Sequence, residues 1–226
     1  MRGILLRAAG GNAPEGLVHP GGRFRARSGY DAAAMLEPVT LEGRYVRLEP
    51  LTIDHVDALA DVGCEPSLWT WVPAKVASRD DMRRYVDVAL ADQARGMALP
   101  FVQVERAGAT VVGSTRYGNI AMEHRRVEVG WTWIGVPWQR TAVNTEAKWL
   151  LLRHAFETLG CERVELKTDV LNARSRAAIE RIGGVEEGIL RHHMLTASGR
   201  WRDTVYYSIL HGEWPAVSAR LLARLP

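Results

Sequence analysis

The chain has 226 residues, 47% of them hydrophobic, which is enough for one well-buried core. Its formal net charge of +3 arises within the first 34 residues, because from Met35 onward 24 basic residues stand against 24 acidic ones. A neutral folded part offers no basic face for a phosphate backbone, which argues against a nucleic-acid-binding protein.

The composition changes near residue 35, which predicts one folded domain with an N-terminal extension. Residues 1–34 are rich in Gly, Pro, Arg and Ala without any period, so we expect a disordered or irregular extension before a folded domain over residues 35–226. Cys64 and Cys161 have no close metal-ligand neighbours, which favours free thiols and no metal site. No apolar run reaches the length of a membrane span. We therefore expect a cytoplasmic protein that does not bind membranes.

The first half of the folded part mixes strands with capped helices. Arg44–Glu49 alternates as a strand, and Thr52 precedes an apolar stripe with helical spacing. Ser78 begins a second helix whose early acidic residues suit the helix dipole. Two strands joined by a tight turn, Leu99–Glu105 and Thr110–Tyr117, then predict a hairpin.

The stretch of residues 126–157 reads as a strand followed by a helix. The helical spacing of the apolar residues leaves Lys148 for solvent. The helix must open with unpaired backbone N–H groups near Thr141–Asn144, and such an opening suits a phosphate. Strict alternation predicts two faces for the strand: Val127, Val129, Trp131 and Trp133 on one, and Glu128, Gly130, Thr132 and Ile134 on the other.

The last part of the chain adds three strands and a helix. Arg163–Val170 alternates as a strand, and Asn172 caps a helix that ends at Gly183. Two final strands, near Glu187–Leu195 and Trp201–His211, flank a turn. Since strands outnumber the helices, the predicted class is α+β with a mostly antiparallel sheet.

Five motifs in the second half carry a family resemblance. EVGWTWI, QRTAVNTEA, NARS, GGVEEG and RWRDTVYYSIL occur in the order and spacing of the GNAT acyltransferase superfamily. The chain most resembles the RimJ/RimL type of ribosomal-protein N-terminal acetyltransferases, over roughly Leu41 to Trp214. The resemblance implies the GNAT fold, a mixed and mostly antiparallel sheet with helices on both faces. Its central strand would part from Arg163–Val170.

The resemblance implies transfer of an acetyl group from acetyl-CoA to an amine, by direct attack in a ternary complex and without a metal. The acceptor would be a protein N-terminal α-amino group. The pantetheine arm would insert between the parted strands and pair with the main chain of Trp133, Ile134 and Gly135. The pyrophosphate would rest on the backbone N–H groups of Gln139, Arg140, Thr141, Ala142, Val143 and Asn144.

The chain departs from the family's pattern at three places, one of which is Gly184, where the family usually has Phe after the glycine that ends the helix. The phosphate loop has Ala142 and Asn144 where the pattern has Gly and then Gly or Ala. Glycine matters there because it lets a phosphate approach the backbone without a Cβ in the way. Ile179 stands where many members have a tyrosine that protonates the departing thiolate.

Two residues are the candidate acid and base. Glu128 shares its face with the small Gly130 and matches a family glutamate, so it is the predicted general base; the alternative is a carboxylate that orients Arg125 or Arg126. The resemblance implies Ser175 as the acid, and its alternative is a capping or back-bonding serine.

Two further positions bear on the site. Asn172 is predicted to cap its helix and to contact the pantetheine or a phosphate; the alternative is the capping role alone. His192 and His193 lie on opposite faces of one strand, so at most one of them faces the cleft.

Other functions stay open at this stage. One alternative is a non-catalytic module of the same fold that binds CoA or a peptide, and another is an acetyltransferase for a small-molecule amine. The predicted partners are therefore acetyl-CoA and a protein N-terminus or a small amine, and a homodimer is left open.

Overall fold

A single eight-stranded sheet forms the centre of the protein, with the strand order β1-β2-β3-β4-β5-β6-β8-β7. The computed structural model describes residues 37–226 except Pro73 and Ala197, so the predicted extension over residues 1–34 lies outside the described residues. The strands are β1 Leu41–Glu42, β2 Val46–Pro50, β3 Leu99–Glu105, β4 Thr110–Ala121, β5 Arg126–Ile134, β6 Arg163–Asp169, β7 Val185–Leu195 and β8 Trp201–Leu210.

Helices cover both faces of this sheet, as the predicted α+β class requires. On one face α1 and α2 enclose a core that includes Leu59, Trp69 and Trp133. On the other, α3, α4 and α5 enclose a larger core around Tyr117 and Leu151. None of the described helices is both long and apolar enough to cross a membrane. The helices are α1 Val56–Gly63, α2 Arg79–Ala94, α3 Ala142–Arg153, α4 Ala173–Ile182 and α5 Trp214–Leu222.

Capping residues and hydrophobic periodicity in the sequence predicted the bounds of most elements to within a few residues of those in the structure. Ser78 caps α2 by accepting the Asp81 N–H, and Asn172 caps α4 by accepting the Ser175 N–H. Gly183 ends α4 in the left-handed conformation, with a φ of 108° that favours glycine. The short β1 and the C-terminal helix α5 were not predicted. The predicted turn before Trp201 includes Ala197, which lies outside the described residues.

The strict alternation predicted for β5 is wrong beyond Gly130, because a bulge interrupts the strand. Trp131 has a φ of 48°, and the register with β4 slips between Ser114 and Arg116. The bulge moves Trp131 to the face of Glu128, where its ring lies 5.7 Å from the Lys167 Nζ. Thr132 and Ile134 consequently join the opposite face.

The sheet parts between β5 and β6, the one parallel pair among the described strands. Only three residue pairs join them, from Arg126↔Arg163 to Glu128↔Glu165. Beyond Glu128, β5 continues along β4, while β6 remains paired with β8 as far as Asp169. A V-shaped gap therefore opens between two strands in the middle of the sheet, which confirms the splayed sheet predicted from the resemblance.

A buried carboxylate ties the edge of the sheet to α3. Glu146 is only 4% exposed and accepts the backbone N–H groups of Arg44 at 2.8 Å, Tyr45 at 2.6 Å and Val46 at 2.8 Å. Three donors to one carboxylate satisfy the turn that precedes β2. This bond set holds α3, and with it the opening of the gap, against the first strands.

Replacing Glu146 with Gln should destabilise the protein, because an amide group presents N–H where an oxygen now accepts. We expect the free energy of unfolding in urea to fall by about 1–3 kcal/mol. Glu123→Gln, on an exposed turn, is the control and should change it by less than about 0.5 kcal/mol. A Glu146→Gln variant as stable as the parent would show that these bonds contribute nothing net.

Candidate active site

The backbone of Ile134 faces the gap between β5 and β6. The Gly135 N–H donates to the Val112 carbonyl on β4 at 2.8 Å, and Trp133 stands opposite Ser114 in the same ladder. Since peptide groups alternate in direction along a strand, those of Ile134 point away from β4. Its carbonyl accepts the side-chain amide of Gln139 at 2.9 Å, and its N–H points into the gap.

Glu128 sits at the last residue pair before the strands part. It is 2% exposed. Its Oε2 accepts a hydrogen bond from Asn119 Nδ2 at 2.6 Å and forms an ion pair with Lys167 Nζ at 2.9 Å. Its other oxygen, Oε1, bonds to none of the described residues. A Cβ on Gly130 would lie 3.0 Å from that Oε1, so the glycine leaves it room. Glu128 orients neither Arg125 nor Arg126, which bond to Glu162 and Glu165 instead.

The two histidines of β7 separate as predicted. His192 is exposed and stacks on Trp201, whereas His193 is half-buried beside Tyr206. Burial lowers the pKa of His193; the charges of Lys167 and Arg202 lower it further, and that of Glu128 opposes them. The direction of this shift favours the neutral imidazole of His193.

The loop before α3 forms one end of the gap. Thr141 caps α3, with its hydroxyl accepting the Val143 N–H at 3.3 Å, and the other amides of the first turn have no partner within the helix. Arg140 adopts a φ of 63°, a left-handed conformation that costs a non-glycine residue energy. Gln139 also bonds Arg174 Nη2 at 2.5 Å, which links this loop to α4.

A cavity of about 680 Å³ lies between this loop and α4. Three arginines on its wall and a helix N-terminus make it a site for an anion. Asn144 forms part of the wall, so the residue that replaces the family's small one leaves the cavity open. The lining residues are Val136, Gln139, Arg140, Thr141, Asn144, Arg174, Ala177, Ala178 and Arg181.

The start of α4 contains the remaining predicted residues. Asn172 accepts the Ser175 N–H through Oδ1 at 3.0 Å, which is the capping role. Ser175 is half-buried, and its hydroxyl bonds to none of the described residues. Ile179 is buried in the core, so no hydroxyl replaces the family's tyrosine at that position. Within the described residues no group of three metal-binding side chains occurs.

The prediction that Lys148 faces solvent is wrong. It is 8% exposed, and its Nζ donates to Thr132 Oγ1 at 2.6 Å, just beyond the bulge in β5. Burial lowers the pKa of Lys148 from 10.5 to about 7, and no carboxylate pairs with it in the described chain. The helix α3 is enclosed on nearly every side, and its sequence does not reveal this because α5 and the β1–β2 edge supply the cover.

Sequence reasoning also missed the polar residues that surround Glu128. Lys167 and Asp169 lie on β6, and Arg202, Thr204 and Tyr206 lie on β8. The one available signal was the polar set at alternate positions of RVELKTD, a strand in the middle of a sheet. A polar face there indicates a cleft, but the partners across it depend on the register with a distant strand.

This arrangement can carry out a proton transfer next to an anion site. Glu128 offers, at the apex of the gap, a carboxylate oxygen to which no described residue bonds. The Ile134 N–H points into the gap along its wall, and the arginine-lined cavity closes the wide end. A family model described as an acetyltransferase (GNAT) domain matches residues 46–185.

The chain belongs to the GNAT acetyltransferase family. Acetyltransferases of this family use acetyl-CoA, and the geometry of the gap is that of the fold they share. The GNAT resemblance stated from the five motifs is thereby confirmed. The residue roles carried over with it stay predictions.

Several GNAT relatives resemble the chain. A GCN5-related N-acetyltransferase from Brucella melitensis is 34% identical, with a TM-score of 0.78 over 84% of this chain and 86% of that one. The protein named "Putative ribosomal N-acetyltransferase YdaF" from Bacillus subtilis is 37% identical over 46% of this chain and 56% of its own length. Mycobacterium smegmatis RimJ in complex with CoA-disulfide shares the fold, at 24% identity and a TM-score of 0.69 over 79% of this chain and 88% of that one.

The low pKa of Lys148 predicts a pH-dependent stability. Between pH 7 and 10.5 the unfolded chain binds a proton at this lysine that the folded protein does not bind, so stability rises with pH through that window and falls as the pH drops toward 7. Lys148 alone should make the free energy of unfolding about 3 kcal/mol larger at pH 9 than at pH 6.

Urea unfolding of the parent and of Lys148→Met at both pH values tests this expectation. Methionine fills a similar volume without a charge, so the variant should gain stability at pH 6 and lose most of the pH dependence. A variant with the same slope as the parent would mean that the ammonium is well solvated in the folded protein.

Proposed function

We propose that this GNAT acetyltransferase transfers the acetyl group of acetyl-CoA to the α-amino group of a protein N-terminus. The observation that carries the proposal is Glu128, a buried carboxylate at the apex of the β5–β6 gap with one oxygen that none of the residues 37–226 described by the structure bonds. A relative named as a ribosomal N-acetyltransferase supports the choice of a protein acceptor. The expected compartment is the cytoplasm, since Cys64 and Cys161 are both free thiols.

The wide end of the gap would hold the diphosphate of CoA. Arg140, Arg174 and Arg181 bring positive charge to the cavity, and the first turn of α3 brings N–H donors. The proposed set for the loop is Gln139–Asn144. The pantetheine would lie along β5 and accept a hydrogen bond from the Ile134 N–H, between Trp133 and Gly135.

The reaction would be a direct attack by the acceptor amine. The amine nitrogen bonds to the acetyl carbon as the carbon–sulfur bond breaks, and the proton released by the nitrogen passes to Glu128. Asn119 and Lys167 hold the Glu128 carboxylate in place through its other oxygen. Ser175, whose hydroxyl is unbonded in the described chain, would donate a hydrogen bond to the departing thiolate, with Asn172 fixing the start of α4.

Glu128→Gln should lower kcat/KM for an N-terminal peptide by about 10² to 10⁴, because the amide cannot accept the proton. Thiol release from acetyl-CoA in the presence of the peptide measures the rate, and calorimetry should give an unchanged affinity for acetyl-CoA. Glu123→Gln is the matched control and should keep full activity. Undiminished turnover by Glu128→Gln would remove this residue from the base's role.

Arg181→Ala should weaken acetyl-CoA binding by about 10-fold, because one charge-assisted contact to a phosphate is lost. The loss should shrink as salt is added, since salt screens an exposed charge pair. Arg224→Ala, also on the surface but distant in sequence from the cavity wall, is the control. Equal affinity of Arg181→Ala and the parent at low salt would place the phosphates elsewhere.

A further inference from the structure

Arg202, the second residue of β8, is a buried cation without a counter-ion among the described residues. It is 5% exposed, and its one hydrogen bond is a long contact of 3.4 Å from Nη1 to the Trp71 carbonyl. Its Nε is buried and has no partner in the described chain. Burying a guanidinium with unused donors is costly, so a structural role alone accounts poorly for it.

The neighbouring carboxylates are already committed to other partners. Asp169 forms an ion pair with Arg200 and accepts a hydrogen bond from the Leu171 N–H. One oxygen of Glu128 forms an ion pair with Lys167 and accepts a hydrogen bond from Asn119. The cluster formed by Lys167, Arg200 and Arg202 with Glu128 and Asp169 thus has three cations and two carboxylates. Lys167 and Arg200 each form an ion pair with one of these carboxylates, whereas Arg202 forms none with a described residue.

A second unused polar group lies on the same strand two residues further along. The hydroxyl of Thr204 is buried and has no hydrogen-bond partner among the described residues. Residues at this spacing project from the same face of a strand, so Thr204 and Arg202 line the same side of β8. The register of β6 with β8 sets Asp169 opposite Thr204 and Lys167 opposite Tyr206, so Arg202 and Thr204 lie on the same face of the sheet as Lys167, the ion-pair partner of Glu128.

We propose that Arg202, assisted by Thr204, binds the oxygen atom that an acceptor carries on the carbon next to its amine-bearing carbon. The acceptors would then be α-amino acyl compounds, and plain alkyl amines would be poor substrates. Glu128 faces the amine while Arg202 holds the carbonyl or carboxylate oxygen, so the two residues together orient the nucleophile. This inference rests on the proposed function, and it makes Arg202 a specificity-determining residue for that reaction.

Three acceptors that share the CH3–CH–NH2 unit test the inference with the whole chain: alaninamide and alanine carry a carbonyl or carboxylate oxygen on the next carbon, and 2-aminopropane carries a methyl group there. The measured quantity is kcat/KM for each, from thiol release, in the parent, Arg202→Gln, Arg202→Lys and the surface control Arg191→Gln. Alaninamide should exceed 2-aminopropane in the parent. Arg202→Gln should reduce that ratio by about 10- to 100-fold, the loss expected for a hydrogen bond to a charged group.

The ratio of kcat/KM for alaninamide to that for 2-aminopropane separates a loss of specificity from a general structural effect, because a structural effect lowers both values together. The difference in basicity between the two amines is the same in every variant, so it cancels when variants are compared. Arg202→Lys should restore part of the ratio, and Arg191→Gln should leave it unchanged. An Arg202→Gln variant that loses both substrates equally overturns the inference. Should that variant not fold, Thr204→Val decides instead: a reduced ratio supports the inference, and an unchanged ratio overturns it.

The same experiment distinguishes this inference from the proposed function. Rapid acetylation of 2-aminopropane and alaninamide alike would overturn the inference and leave an acetyltransferase. No acetylation of any amine or peptide, despite binding of acetyl-CoA, would overturn the proposed function and the inference with it. If the inference holds, a preference for alanine indicates a free amino acid as the source of the oxygen, and a preference for alaninamide indicates a peptide.

Discussion

The limited pairing between β5 and β6 is the constraint on which the site depends. A parallel pair that stops after three residues leaves backbone groups and polar side chains facing each other across a gap in the middle of the sheet. Elsewhere such an opening would leave polar groups without partners. Here β5 stays paired with β4 on both sides of its bulge, and β6 is paired with β8 along its whole length, so the rest of the sheet holds the opening.

The bulge at Trp131 adjusts β5 to this opening. A positive φ is costly for a tryptophan, and three neighbours hold it there: Gly118, where a Cβ would overlap the ring; Tyr85, which donates to the Trp131 carbonyl at 3.3 Å; and Arg116, whose guanidinium lies 5.1 Å from the ring centre. By shifting the alternation by one residue, the bulge brings Thr132 to Lys148 and places Glu128 and Trp131 on the face where both contact Lys167. The strained backbone at Trp131 thus places Glu128 and Thr132 on opposite faces of β5.

Local signals in the sequence were sufficient for most elements and for the fold class. Asn172 and Gly183 bound α4 as their chemistry predicts, whereas the bulge at Trp131 interrupts the alternation predicted for β5. The five family motifs predicted the gap between β5 and β6, which hydrophobic periodicity alone does not reveal. The buried Lys148 and the cluster around Arg202 escaped prediction for a common reason: their surroundings come from segments distant in sequence, so the local pattern of α3 or β8 does not reveal burial or charge partners.

Hydrogen exchange at the Ile134 amide, followed by NMR with and without saturating acetyl-CoA, tests the central claim most directly. If the pantetheine lies in the gap and accepts the Ile134 N–H, exchange at that amide should slow markedly on addition of acetyl-CoA. The amides of residues 126–128, beside the three pairs that already join β5 to β6, should change little. An Ile134 amide that exchanges equally fast in both samples, although acetyl-CoA is bound, would contradict the account.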